Sequence, residues 1–186
     1  MNLRGTIPGE IFKKVTRLTE LNLSNNHFGG QIPTSIGHLK DIQGFFLGEN
    51  KLTGTIPRQV GLMVDLKRFE IDGNNIGGTI PNLISALNSL EGFKLSRNSI
   101  TGTIPPDIGN LHRLVELEFE SNKLEGKVPP EIGNLVNLKQ ARLYDNNLTG
   151  DVPKEVCALT KDEDLAYLGV DCASDKVNCD CCTKCF

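Results

Sequence analysis

The sequence predicts an α/β repeat solenoid, a chain that winds one strand and one short helical turn into each coil. Three recurrences carry this. Proline falls at positions 8, 33, 57, 81, 105, 129 and 153, with one gap of 25 and then five of 24. Asparagine falls at 26, 50, 74, 98, 122 and 146. Glycine keeps the same phase at 5, 30, 54, 78, 102, 126 and 150. A fixed period in the range of about 20–50 residues marks stacked units that cannot bury their apolar faces alone. Seven of the nine prolines obey one period, so composition does not explain the spacing.

Each element of the unit LxxLxLxxNxLxGxIPxxIGxLxx has a physical reason. Leu18, Leu21, Leu23, Asn26, Phe28, Gly30, Ile32 and Pro33 fill it first, and later units start at Ile42, Leu66, Leu90, Leu114 and Leu138. A half unit at 3–8 precedes them. In LxxLxLxx the apolar residues alternate, so Leu21 and Leu23 point one way and Asn22 and Ser24 the other, as on a strand. In IPxxIGxL the spacing shifts to three, through Ile36, Leu39 and Ile42, which suits a short 3₁₀ or α turn under the strands. Pro33 fixes φ at the junction and removes an amide that has no partner there. Gly30 permits a bend with positive φ. Asn26, Asn50, Asn74, Asn98, Asn122 and Asn146 can bond turn amides through their side chains, forming an internal ladder.

This unit resembles the leucine-rich repeat in its plant-type form, found in receptor-like kinase ectodomains and cell-wall polygalacturonase inhibitors. The resemblance covers residues 1–160. It implies a right-handed leucine-rich-repeat superhelix (L domain-like) with a parallel β-sheet on its concave side. Residues 1–156 hold the half unit and six full units, and 157–186 form a C-terminal capping strand and cysteine-rich tail. In the tail Leu165, Leu168 and Val170 continue the LxxLxL spacing, placing the capping strand at 167–172, after which the repeat is expected to stop.

All six cysteines, Cys157, Cys172, Cys179, Cys181, Cys182 and Cys185, lie in that tail. Six can form three disulfides in about 15 connectivities. Adjacent Cys181 and Cys182 have poor geometry for pairing with each other. The competing reading is a metal site, since CxCCxxC supplies four thiolates at zinc-like spacing. Cysteine confined to a terminal cap is similar to extracellular leucine-rich-repeat proteins, and CDCCTKC resembles the tails of diatom-type members. The expected location is therefore extracellular or at the cell surface. No charged-then-apolar leader opens the chain and the first unit starts in mid-repeat, so an upstream segment is expected.

Composition narrows the function. Twenty Lys and Arg against 23 Asp and Glu give a net charge of −3, without the basic stripe of a nucleic-acid binder. No run of about 18 apolar residues is present to span a bilayer. His27, His38 and His112 sit at unrelated positions in three units, as solvent-facing filler. None of GxSxG, HExxH, GxxxxGK or GxGxxG occurs. The expectation is a non-catalytic protein with no cofactor and no resident metal.

Outward strand positions are not dictated by the core, so they are the candidate ligand surface. They form four columns: Glu20, Gly44, Arg68, Gly92, Glu116, Gln140; then Asn22, Phe46, Glu70, Lys94, Glu118, Arg142; then Ser24, Gly48, Asp72, Ser96, Glu120, Tyr144; then Asn25, Glu49, Gly73, Arg97, Ser121, Asp145. The candidate binding residues are Phe46, Arg68, Glu70, Asp72, Lys94, Arg97, Glu116, Glu118, Glu120, Arg142 and Tyr144. Alternation of Glu70, Lys94, Glu118 and Arg142 predicts cross-strand ion pairs. Phe46 and Tyr144 are read as the only aromatics of the face, with Gly44 and Gly48 leaving the Phe46 ring open as an anchor. Family members that bind peptide carboxylates use paired basic residues, and Arg68 has no such partner. Asn22-Leu23-Ser24 and Asn147-Leu148-Thr149 are glycosylation sequons on Asn22 and Asn147. The expected function is extracellular recognition of a protein, a peptide or a cell-wall glycan, as in a receptor-like ectodomain. The alternatives are a cell-wall enzyme inhibitor, a structural wall protein, or a metal-binding tail.

Overall fold

The computed structural model describes residues 2–162, 165–172 and 176–186. It is a solenoid. The strands Glu20–Asn22, Gly44–Phe46, Arg68–Glu70, Gly92–Lys94, Glu116–Glu118, Gln140–Arg142, Tyr167–Val170 and Lys184–Cys185 form one eight-stranded sheet in which all pairs are parallel. The register is set by the repeat, so Gly44, Arg68, Gly92, Glu116 and Gln140 lie side by side. Parallel neighbours need a crossover, and every unit before the last supplies one containing a 3₁₀ turn, such as Thr34–His38 or Arg58–Leu62. Pro33 caps its turn at φ −65°, and its carbonyl accepts the first turn hydrogen bond from the Ile36 amide at 3.1 Å.

The core runs the length of the coil. Within one unit Leu66, Phe69, Ile71, Ile76, Ile80, Ile84 and Leu87 are all buried. Burying each such side chain contributes roughly 1.5–3 kcal/mol. Phe45, Phe69, Phe93 and Phe119 form a spine of rings, with centroids 5.8, 5.9 and 5.0 Å apart. In the first unit Leu18, Leu21 and Leu23 are only half-buried, because Glu20–Asn22 is the outer strand of the sheet.

The six repeat asparagines line the turn after the strands. Asn74 Nδ2 donates to the carbonyls of Leu47, Ile71 and Asp72 at 3.0, 3.0 and 3.1 Å, and its Oδ1 accepts the Leu52 amide at 2.9 Å. One side chain thus ties its own coil to the coil before it. The residue preceding five of them takes the left-handed conformation, with φ between 54° and 57° at Asn25, Glu49, Arg97, Ser121 and Asp145, while Gly73 fills the remaining place.

The C-terminal end departs from expectation in two ways. The capping strand stops at Val170 rather than reaching 172, because Cys172 turns away to bridge Cys185. The strand stacking also continues past it, although the sequence repeat ends there. Val177–Asn178 pairs with Gly150–Asp151, and Lys184–Cys185 adds an eighth strand beside Tyr167–Val170. The other bridges are Cys157–Cys181 and Cys179–Cys182, so all six sulfurs are engaged and Cys181 and Cys182 are not bonded to each other. This overturns the metal reading of the tail, because no thiolate remains to ligate. Cys157 sits on the helix Lys154–Asp162, which replaces the 3₁₀ turn of the last unit and packs on Pro130–Asn134.

Candidate functional site

The concave sheet carries a charge network laid out by glycine gaps. A glycine in a column leaves a lane through which a long side chain reaches past its nearest strand. Arg68 passes over Gly92, where a Cβ would stand 3.6 Å from its guanidinium, and reaches Glu116 Oε2 at 3.3 Å. Arg97 bonds Glu49 two units away, and Asp72 Oδ2 at 3.0 Å. The Glu49 carboxyl lies where a Cβ on Gly73 would be, 2.7 Å off. Gly73 at φ +61° therefore serves both the backbone and the ion pair.

The alternation of charges gives the expected cross-strand pair at Lys94–Glu118, 3.3 Å, but not at its two ends. Glu70 bonds Arg68 on its own strand, at 2.7 and 2.9 Å, instead of Lys94. Lys94 lies between Glu116 at 2.9 Å and Glu118 at 3.3 Å. Glu118 accepts from Gln140 Nε2 at 2.7 Å instead of pairing with Arg142. Arg142 Nη1 stands 4.0 Å from Glu120 Oε1, and its guanidinium lies over the Tyr167 ring at 5.4 Å. Same-strand partners two residues apart point to the same face, so they compete with cross-strand ones.

The aromatics are also placed differently. The Phe46 ring is half-buried and folds back into the Gly44 space, where a Cβ would meet its Cε2 at 2.6 Å. The Gly48 space is taken by Asp72, so neither glycine leaves the ring standing free. Tyr144 is stacked on Phe186 with centroids 3.7 Å apart. Tyr167, in register with Gln140, and Phe186 are thus two further aromatics of this face. Phe186 gave no sequence signal because it follows a strand outside the repeat. Glu49 and Gln140 were visible in the columns, but their partners depend on the glycine lanes.

Electrostatics follow from these contacts. Burial lowers the Arg68 and Lys94 cations, but their carboxylate partners outweigh it and hold both above their ordinary values. Burial raises Glu116, yet the Lys94 hydrogen bond and the charges of Lys94, Arg68 and Arg142 hold it below the usual carboxylate range. Glu120 goes the other way. Burial pushes it up and Glu118 adds to this, while its own backbone hydrogen bond and the charges of Arg142 and Arg97 do not compensate. Tyr144 is pushed up by burial and by Glu120.

A shallow polar bowl of about 460 Å³ opens on the same face, lined by Ser24, Phe46, Glu49, Arg68, Glu70 and Asp72 among others. Asn22 is exposed at its rim, and Asn147 is exposed on the strand Asn147–Leu148 away from the concave sheet. His38 and His112 are exposed, as expected. His27 is half-buried with Nδ1 unpartnered, which corrects its reading as solvent-facing filler. Among the described residues no group of His, Cys, Asp and Glu is arranged to hold a metal ion, and no helix is long and apolar enough to cross a membrane.

Comparison with known proteins places this geometry. The Leucine Rich Repeat family model matches residues 17–39, 65–87, 89–111 and 113–135. A chain of the BIR3–SERK2 complex from Arabidopsis thaliana is 32% identical, with a TM-score of 0.66, over 72% of this chain and 71% of that one. The chain belongs to the leucine-rich-repeat family. Its repeats also superpose on the Arabidopsis receptor kinase HAESA, solved with the peptide hormone IDA and the co-receptor SERK1, with a TM-score of 0.85 and 27% identity over 95% of this chain. A TDR receptor gives 0.83 and 32% over 86%. This leucine-rich-repeat chain spans only 31% and 27% of those two chains. Among curated protein sequences, none matches it.

Proposed function

We infer that this leucine-rich-repeat chain is a non-catalytic recognition module that binds a peptide or protein ligand outside the cell, across its concave sheet. The observation that carries the reading is the concave face itself. Its outward side chains are released from core packing and organised into a half-buried charge network, and exposed ion pairs contribute only about 0–1 kcal/mol each to stability. Such a surface is retained for contact rather than for folding. The similarity to HAESA in its complex with a peptide hormone supports a peptide ligand. Three disulfides suit an oxidising compartment. In that compartment Asn22 and Asn147 are glycan acceptors, and a glycan on Asn22 steers a ligand towards the middle units.

The test is affinity capture from secreted peptides and proteins, read by mass spectrometry. A Phe46→Ala, Glu118→Lys double variant should lose the ligand, and a Lys40→Ala, Arg58→Ala variant on exposed positions away from the concave strands should keep it. Equal capture by all three removes the concave face from the binding reaction.

A further inference from the structure

The concave-face reading leaves the chemistry of the ligand open, and the inference here rests on that reading. Across the four outward columns there are eight carboxylates and four cations. The cations are already committed. Arg68, Lys94 and Arg97 each contact two carboxylates, and Arg142 is drawn over Tyr167. A carboxylate-bearing ligand would find no unpaired cation among those three.

Glu120 is the buried carboxylate that these cations leave incompletely paired. It is only 9% exposed, and its Oε2 is buried with no hydrogen-bond partner. Arg142 Nη1 stops 4.0 Å from Oε1, beyond hydrogen-bond reach. A buried carboxylate oxygen without a hydrogen-bond partner is costly to hold, and the cost is relieved by a proton or by an incoming cation. The upward displacement of its carboxyl by burial agrees with that unmet demand. Tyr144 is its neighbour in the same column and holds Phe186 against it. Aromatic faces of this kind receive the stem and head of a Lys or Arg.

We propose that Glu120 anchors a cationic side chain of a basic peptide laid across the concave strands. The ligand's guanidinium or ammonium donates to the carboxylate that Arg142 leaves unclosed. Asp72 stands two units away in the same column, in the polar bowl with Glu49 and Glu70. Two strand spacings are about 9.6 Å, and a peptide in the polyproline II conformation advances about 3.1 Å per residue with about three residues per turn, so side chains three apart point the same way. The favoured ligand therefore carries two basic residues three positions apart.

The probe is acetyl-Arg-Gly-Gly-Arg-amide, titrated into the intact disulfide-bonded protein at about 150 mM salt, where surface charges are screened, with binding followed by protein NMR shifts. The wild type should bind it saturably and bind the Glu-Gly-Gly-Glu counterpart far more weakly. Glu120→Gln should weaken the basic peptide about tenfold, the scale of one charge-assisted hydrogen bond. Glu125→Gln, exposed on the strand Lys123–Gly126, removes the same charge elsewhere and should stay within about twofold, as a distant exposed charge does. No binding of the basic peptide, or equal weakening by both variants, overturns the assignment. A captured natural ligand that is lost in Phe46→Ala, Glu118→Lys but unaffected by Glu120→Gln overturns the cation anchor alone and leaves the concave-face reading standing. A ligand indifferent to every concave variant defeats both.

Discussion

Replacing Asn74 by alanine should destabilise the solenoid more than replacing Asn26, although both occupy the same place in the repeat. Asn74 is 6% exposed, and its side chain makes three donor contacts and accepts the Leu52 amide. Alanine leaves that amide buried without an acceptor, which costs about 1–3 kcal/mol, and removes further bonds worth about 0.5–1.5 kcal/mol each, for about 3–5 kcal/mol in all. Asn26 donates only within its own unit, to Leu23 and Ser24, and accepts the exposed Leu3 amide. Its loss should cost about 1 kcal/mol. Urea unfolding followed by circular dichroism separates the two. At a slope of about 2 kcal/mol/M, Asn74→Ala moves the midpoint down by about 2 M and Asn26→Ala by about 0.5 M, with slopes unchanged. Equal shifts would refute the claim that the amides bind coil to coil.

Further outcomes follow from individual contacts. Gly61→Ala drives a Cβ into the Leu83 carbonyl oxygen and should cost about 2 kcal/mol or more, whereas Gly29→Ala, with 3.7 Å to the Lys51 carbonyl, should be tolerated; thermal melts compare them. Cys172→Ser with Cys185→Ser removes a bridge across 13 residues, should cost about 3 kcal/mol, and should release Phe186 from Tyr144, read by tyrosine fluorescence. Glu120 has a raised carboxyl, so its favourable contribution exists below the ordinary carboxylate value and is lost as pH rises through the folded value. Glu120→Gln should therefore melt higher than wild type at neutral pH and match it in acid. Glu116 is lowered, so its contribution exists above the ordinary value and is lost as pH falls through the folded one. Glu116→Gln should melt lower at neutral pH and converge with wild type in acid.

The repeat was legible because a strand, a turn and a bend each leave a distinct residue type at a fixed interval. Phenylalanine in core slots where the unit has leucine, as at Phe45, Phe69 and Phe93, did not obscure it, since apolar character and not shape sets the pattern. The outward columns were also legible, because register follows from the period. The contacts across them were not. Whether Arg68 turns to Glu70 or Glu116 depends on the gap at Gly92, and Phe46 fills the Gly44 space that the sequence suggests is open. The eighth strand was hidden for another reason. Lys184–Cys185 is held by Cys172–Cys185 and by pairing to Tyr167–Val170, with none of the apolar periodicity that betrays the others.

The most direct measurement of the central claim is hydrogen exchange on the protein with and without a captured ligand. Binding should slow exchange along Arg68–Glu70, Gly92–Lys94, Glu116–Glu118 and Gln140–Arg142, and leave the turns Arg58–Leu62 and Pro106–Asn110 as they are. Protection confined to those turns, with the four strands unchanged, would contradict recognition by the concave sheet.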